Sequence, residues 1–273
     1  INQGTLGNSD YSVSFTGAIF TVNPREISIS AVPAKKKVKE SDPALTYAVS
    51  GDGLVAGDSV LGSVTRTSGE AVGKYPIQIG DLVVRNGSAR TQSADYVVTK
   101  LTADFEILIR EITITATPAS KQYGDADPTL AYTLSGDSLA TGDSFSGSLA
   151  YTGSNVGTYV IDLGSLAIAP GANAANYSIT YVSASMTISQ KTRTGSLNMP
   201  TGLGNFRVGN TATATASTNG DGVAVWSGSG ACSVSSAGVI TGTSTGSCTV
   251  RVTYNSTTNY TSWTTTSTFT VKA

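Results

Sequence analysis

The sequence predicts an all-β (mostly β) chain of tandem elongated domains. Three observations carry that reading: period-two alternation, dense turn punctuation and an internal repeat. Ile27, Ile29 and Ala31 alternate with Ser, Ile112, Ile114 and Ala116 alternate with Thr, and Tyr75, Ile77 and Ile79 repeat the pattern. That spacing puts each set on one face of a strand. The segments around Leu54 and Leu139 have room for a single helical turn each, and nothing longer shows a 3.6-residue period. Asp-Pro, Ser-Gly-Asp and Gly-Asp clusters stand between the alternating runs, where turns need them.

The repeat sets the order of the elements. Glu26–Thr65 aligns without gaps on Glu111–Ala150 at an offset of 85, matching Pro33 to Pro118, Asp42-Pro43 to Asp127-Pro128, Tyr47 to Tyr132, and Asp52 and Asp58 to Asp137 and Asp143. After a one-residue slip, Gly73 and Tyr75 meet Gly157 and Tyr159. The end of the unit recurs more often: Tyr11, Tyr96, Tyr177 and Tyr260 are followed nine residues on by Phe20, Phe105, Met186 and Phe269, and eleven on by Val22, Ile107, Ile188 and Val271. Apolar residues two apart after a fixed gap read as a closing β-hairpin. The chain therefore divides into 1–24, the closing hairpin of a truncated preceding repeat; full repeats at 25–109 and 110–190; and a distinct module at 191–273. The chain begins at Ile1 inside a repeat, as an excised piece of something longer would. Val22 to Ile27 and Ile107 to Ile112 leave no flexible Gly/Ser linker, so the units are expected to stack as a semi-rigid rod.

Composition excludes several functions. With 17 Lys and Arg against 18 Asp and Glu, and 13% charged residues, the chain carries no basic surface suited to nucleic acid. It has no His, which removes His-based acid–base chemistry, Ser-His-Asp triads and His metal sites. No apolar run approaches the ~18 residues of a membrane span. Glu26, Glu40, Glu70, Glu106 and Glu111 offer no carboxylate pair for a glycosidase, so no enzyme activity and no cofactor are expected. Ser and Thr number 75, yet 39% of residues are hydrophobic, more than a disordered linker would carry.

Lys121-Gln122-Tyr123-Gly124-Asp125-Ala126-Asp127-Pro128, followed by Leu130-Ala131-Tyr132, Gly142-Asp143, Gly157-Thr158-Tyr159 and Asn176-Tyr177, resembles the MBG repeats of large bacterial surface and secreted proteins. The likeness is dense over 110–190 and looser over 25–109, where Val38 and Lys39 replace the Tyr and Gly of the motif. It implies a β-grasp-like fold and attachment at a cell surface, as in adhesins. Residues 195–273 hold four charges, Arg207, Asp221, Arg251 and Lys272. Val225-Trp226-Ser227, Cys232-Ser233-Val234 and Gly246-Ser247-Cys248-Thr249-Val250 resemble bacterial Ig-like repeats, which implies a β-sandwich. Cys232 and Cys248 fall on strands flanking a hairpin and are read as a disulfide suited to an oxidising compartment, with free thiols or half a metal site as alternatives.

Other residues carry two readings. Asp52, Asp58, Asp137 and Asp143 are either turn formers beside Gly, the reading preferred, or a Ca²⁺ site. Lys35, Lys36 and Lys37, in the run that continues through Lys39, are either a solvated edge strand guarded against pairing, the reading preferred, or a contact for anionic polysaccharide or a membrane surface. Trp226 reads as core, and Trp263, amid Thr, as the exposed platform for a sugar; Tyr47, Tyr75, Tyr132 and Tyr159 read as core. Exposed positions such as Lys35/Ser120 and Arg66/Tyr151 differ between copies while Gly, Pro, Asp and apolar positions match. The first expectation is therefore a stalk segment of an extracellular, cell-surface or biofilm-matrix adhesin, a non-catalytic spacer whose partners are neighbouring repeats. The alternatives are a module binding host or matrix glycan and a subunit of an extracellular filament.

Overall fold

Alternation builds the sheets as the sequence leads one to expect. Ile27, Ile29 and Ala31 are buried while their neighbours stay at least partly wet, and Ile112, Ile114 and Ala116 repeat this. A computed structural model describes residues 2–5, 7, 9–87 and 92–273. The described residues are all-β apart from two short 3-10 turns, Ala174–Asn176 and Leu203–Asn205. The segments around Leu54 and Leu139, with room for one helical turn each, form none: both residues sit in irregular chain ahead of tight turns.

The first repeat contains β1 (Arg25–Ala31), β2 (Ala34–Lys37), β3 (Tyr47–Gly51), β4 (Ser59–Leu61), β5 (Thr65–Arg66), β6 (Gly73–Gln78), β7 (Val83–Arg85), β8 (Tyr96–Leu101) and β9 (Ala103–Leu108). Two sheets, ordered β3-β1-β8 and β2-β9-β6-β5, and a β4-β7 ribbon enclose its core. The closing strands pair with strands far earlier in the repeat: β8 runs parallel to β1 at the edge of one sheet, and β9 lies between β2 and β6 in the other. Tyr96, Phe105 and Ile107 thereby join Ile27, Ile29, Ile77, Leu82 and Val84 in one cluster.

The second repeat follows the same order with β10 (Arg110–Ala116), β11 (Ala119–Gln122), β12 (Tyr132–Gly136), β13 (Phe145–Ser146), β14 (Ala150–Tyr151), β15 (Gly157–Asp162), β16 (Ala167–Ile168), β17 (Tyr177–Val182) and β18 (Ala184–Ser189). Its sheets are β12-β10-β17 and β11-β18-β15-β14, with a β13-β16 ribbon. In both repeats a Tyr ring lies over a glycine. A Cβ on Gly69 or Gly153 would come within 2.1 or 2.2 Å of the ring of Tyr75 or Tyr159, so only hydrogen fits there.

The C-terminal module contains β19 (Gly195–Asn198), β20 (Thr211–Thr213), β21 (Thr215–Thr218), β22 (Ala224–Gly230), β23 (Cys232–Val234), β24 (Val239–Gly242), β25 (Gly246–Tyr254) and β26 (Trp263–Val271). The sheets β22-β25-β26 and β20-β24-β23, with the pair β19-β21, enclose Phe206, Ile240, Cys248, Val250 and Val271. Trp226 packs against this cluster. Cys232 and Cys248 are joined as a disulfide, with Cα atoms 5.3 Å apart.

By contact the chain forms two compact units, residues 1–111 with 137–143 and 173–178, and residues 112–136 with 144–172 and 179–273. Two head loops of the second repeat thus cluster with the first.

One expectation needs correction. The hairpin expected within 1–24 is not formed: the described residues there hold no strand, and Tyr11, Phe20 and Val22 are exposed. The reason is topological. In both full repeats the closing strands pair with strands that precede them in the same repeat, and the described residues of 1–24 contain no such strands.

The disulfide generates a test. Changing both Cys232 and Cys248 to Ala should lower stability in urea unfolding by about 3 kcal/mol, the loop-closure value for a link of this length; a loss below about 1 kcal/mol would contradict it.

Candidate functional site

Where β2 ends, the chain must turn back, and this turn organises the surrounding charges. Val38 is buried, its amide donating to Leu108 O at 2.9 Å. Lys39 then adopts φ 63°, the left-handed region, where the second repeat has Gly124 at φ 75°. A side chain there costs on the order of 1 kcal/mol, and the structure offsets it. Lys39 Nζ lies 2.6 Å from Asp143 Oδ1, and Glu40 closes the turn by accepting from Lys37 N at 2.9 Å.

All the residues that receive this turn belong to the first compact unit. Lys37 Nζ reaches Asp137 Oδ2 at 2.9 Å and Ile109 O at 3.2 Å. Arg110, buried, donates from Nε to Val38 O and from Nη1 to Ser138 O, both at 3.1 Å, and from Nη2 to Glu40 Oε1 at 3.4 Å. Each aspartate also does local work. Asp137 Oδ2 accepts from Glu111 N at 2.7 Å, and Asp143 Oδ2 accepts from the Tyr177 hydroxyl, which itself accepts from Ala140 N at 3.0 Å. The backbone N–H of Glu111 and then Lys37 hold the Asp137 carboxyl below its ordinary range; Lys39 and then Tyr177 do so for Asp143. Burial, then the Asp143 carboxylate, pushes the Tyr177 hydroxyl up.

The first repeat carries the same bracket. Asp52 Oδ2 accepts from Glu26 N at 3.2 Å, Asp58 Oδ2 from Tyr96 OH at 2.6 Å, and Tyr96 OH from Val55 N at 2.8 Å. The aspartates are therefore turn and bracket acceptors. Among the described residues no three Cys, Asp or Glu gather in a metal-binding arrangement.

In the second unit the equivalent turn is aromatic. Tyr123 meets Tyr260 edge to face at 5.7 Å, Asp125 pairs with Lys191 at 3.0 Å, and Asn259 accepts from Val156 N at 3.1 Å. Arg193, buried between the rings of Tyr254 and Tyr260, donates to Thr261 O at 3.0 Å.

The other sequence candidates are placed as follows. Lys36 is not solvated: it is buried, 2.7 Å from Asp42 and 2.5 Å from Glu70. Arg66, read as exposed, is also withdrawn from solvent, because it completes this cluster against Asp42 and Glu70 and lies over the rings of Tyr75 and Phe105. At the matching position Tyr151 donates to Asp127, which also pairs with Lys121 at 2.5 Å. Lys37 is taken up by Asp137, leaving Lys35 as the exposed lysine of the three; it lines a groove of about 780 Å³ with Lys74, Asp104 and Glu106. Trp263 is no open platform: it is half-buried with its ring 6.1 Å from Tyr254, because strand parity turns it to the side of Phe269 and Val271 while Thr264, Thr266 and Thr268 face out. Sequence reasoning missed the Tyr–Asp brackets and Arg110. The signal was present, since Arg25 and Arg110, Asp58 and Asp143, and Tyr96 and Tyr177 recur together.

The MBG domain (YGX type) family matches residues 27–99 and 112–187. No curated protein matches the chain. A crystal structure of Drosophila N-cadherin EC1-4 has a TM-score of 0.27 at 10% identity, covering 92% of this chain and 76% of that one. One of Drosophila N-cadherin EC1-3 has 0.24 at 11%, covering 88% and 97%. No described helix is long and apolar enough to cross a membrane.

The depressed carboxylates give a signed pH dependence. Arg66, then Lys36, holds Asp42 at about 2. A group with a lowered folded pKa contributes stability above its unfolded pKa and loses it as pH falls through the folded one. Stability should therefore be flat from pH 7 to about 4 and fall between about 4 and 2, and Asp42→Asn should be less stable at pH 7 with a shallower acid loss. Thermal melts across that range check it; an unchanged acid slope in Asp42→Asn would contradict it.

Proposed function

We propose that this chain, which belongs to the MBG domain (YGX type) family, is a non-catalytic spacer segment of a cell-surface or biofilm-matrix adhesin that holds a binding tip away from the surface. The observation that carries this reading is the turn at residues 37–40 with Arg110. The charges clustered there are spent on the protein's own aspartates and carbonyls, leaving few for a ligand.

The outer faces support it too. Across the β2-β9-β6 face, Lys35, Glu106 and Lys74 are in register in the first repeat, and Ser120, Thr187 and Thr158 occupy those places in the second. A ligand-binding array would keep these side chains between copies, whereas a spacer needs only its core and its turns. The disulfide suits an extracellular location, where such bonds persist. The partners of the chain on this reading are neighbouring repeats, with no nucleic acid and no cofactor.

The test separates spacing from binding. The chain is displayed on a bacterial surface beneath an unrelated binding tip, and capture of large antigen-coated particles is measured. Removing residues 25–190 should reduce capture several-fold. Exchanging Lys35, Lys74, Asp104 and Glu106 for Ser or Thr should leave it unchanged, and a glycan array probed with the chain should stay blank. Glycan binding abolished by that exchange would overturn the reading in favour of a glycan-binding module.

A further inference from the structure

Two observations at the N-terminal end of the first repeat converge. The first is an unburied closing segment. Tyr96, Phe105, Ile107 and Arg110 are spaced 0, 9, 11 and 14 residues from the tyrosine, and Tyr177, Met186, Ile188 and Lys191 keep the same spacing. In both sets the three apolar residues are buried in a core. Tyr11, Phe20, Val22 and Arg25 have the same spacing, yet the first three are 74%, 76% and 79% exposed. Three large apolar side chains left in water are what a closing hairpin looks like when its acceptor strands are elsewhere.

The second is an unoccupied copy of the charged turn site. Arg25 stands where Arg110 does, and its Nε donates to Gly53 O at 3.1 Å as Arg110 donates to Ser138 O. Asp52 and Asp58 keep the local bonds of Asp137 and Asp143, to Glu26 N and to Tyr96 OH. The further bonds of Asp137 and Asp143 to Lys37 and Lys39 have no counterpart: among the described residues no Lys or Arg forms an ion pair with Asp52 or Asp58. Both features match the occupied arrangement position for position.

We propose that residues 9–24, together with Arg25, Asp52 and Asp58, form one docking surface for the acceptor half of another MBG-type repeat, meaning strands in the order of β1 to β7 with a basic turn like Lys37-Val38-Lys39. Tyr11, Phe20 and Val22 complete its core, and its turn lysines neutralise Asp52 and Asp58. A complete repeat does not fit, because its own closing strands already fill those places. The inference holds whether the chain spaces or binds.

The test extends the chain. Residues 25–95 are joined directly ahead of Tyr11, so that Tyr11, Phe20, Val22 and Arg25 fall where Tyr96, Phe105, Ile107 and Arg110 fall in the first repeat. Hydrogen exchange at the amides of 12–22 should slow by about 100-fold or more against the unextended chain. Phe20→Ser should abolish that protection while leaving the melting temperature of the unextended chain unchanged. Lys37→Ser with Lys39→Ser, in the added copy alone, should lower the melting temperature of the extended chain. A second extension with residues 110–176 supplies an independent acceptor. Fast exchange at 12–22 in both extended chains would overturn the proposal. So would protection already present in the unextended chain together with a concentration-dependent dimer, which would make a second copy the occupant.

Discussion

A guanidinium taken out of water must have its donors filled, and the arrangement around Arg110 follows from that requirement. Its Nε and Nη1 tie Val38 O and Ser138 O, backbone groups 100 residues apart in sequence, and Nη2 turns to Glu40. Removing it would strand the buried Val38 carbonyl, at a cost of about 1–3 kcal/mol for a buried unsatisfied group. The flanking pairs are weaker individually, since Lys37, Lys39 and Glu40 retain solvent access and such pairs are worth about 1 kcal/mol or less. Their value lies in position: Asp137 and Asp143 are each already fixed by a second bond, so the lysines meet preorganised partners.

The same turn solved twice shows which part of the design is fixed. The left-handed residue is Gly124 in one copy and Lys39 in the other. Glycine adopts that conformation freely, whereas lysine recovers the strain through its ion pair with Asp143. The residue before the left-handed one is buried Val38 on the first turn and half-buried Tyr123, packed edge to face on Tyr260, on the second. What recurs without exchange is the bracket of an aspartate, a tyrosine hydroxyl and a backbone amide, in which each group satisfies the next.

Much of this was legible in the residues. Period-two alternation located β1, β6 and β10, because one face of each is buried and side chains alternate across a strand, and the repeat match of Gly157 and Tyr159 to Gly73 and Tyr75 located β15. The fixed spacing after Tyr96 and Tyr177 located the closing strands. Burial of charge was not legible. Lys36 and Arg66 look like surface residues in any pattern of hydropathy, and only the fold brings Asp42 and Glu70 to them. Trp263 misled for a related reason: a run of Thr reads as wet, but parity along β26 sends alternate residues inward whatever their neighbours are. Residues 1–24 carried a correct strand pattern without the strands they pair with, and pattern alone does not supply a partner.

The central claim is that the Arg110 site makes loops 137–143 and 173–178 energetically part of the first unit. Native-state hydrogen exchange tests it most directly, comparing the core amides of Ile29 and Ile107 with those of Ala140, Asp143 and Asn176. The account predicts a common opening free energy for both sets, and a common fall of about 1–3 kcal/mol in Arg110→Gln. Loops that open independently of the core, with core exchange untouched by Arg110→Gln, would contradict it.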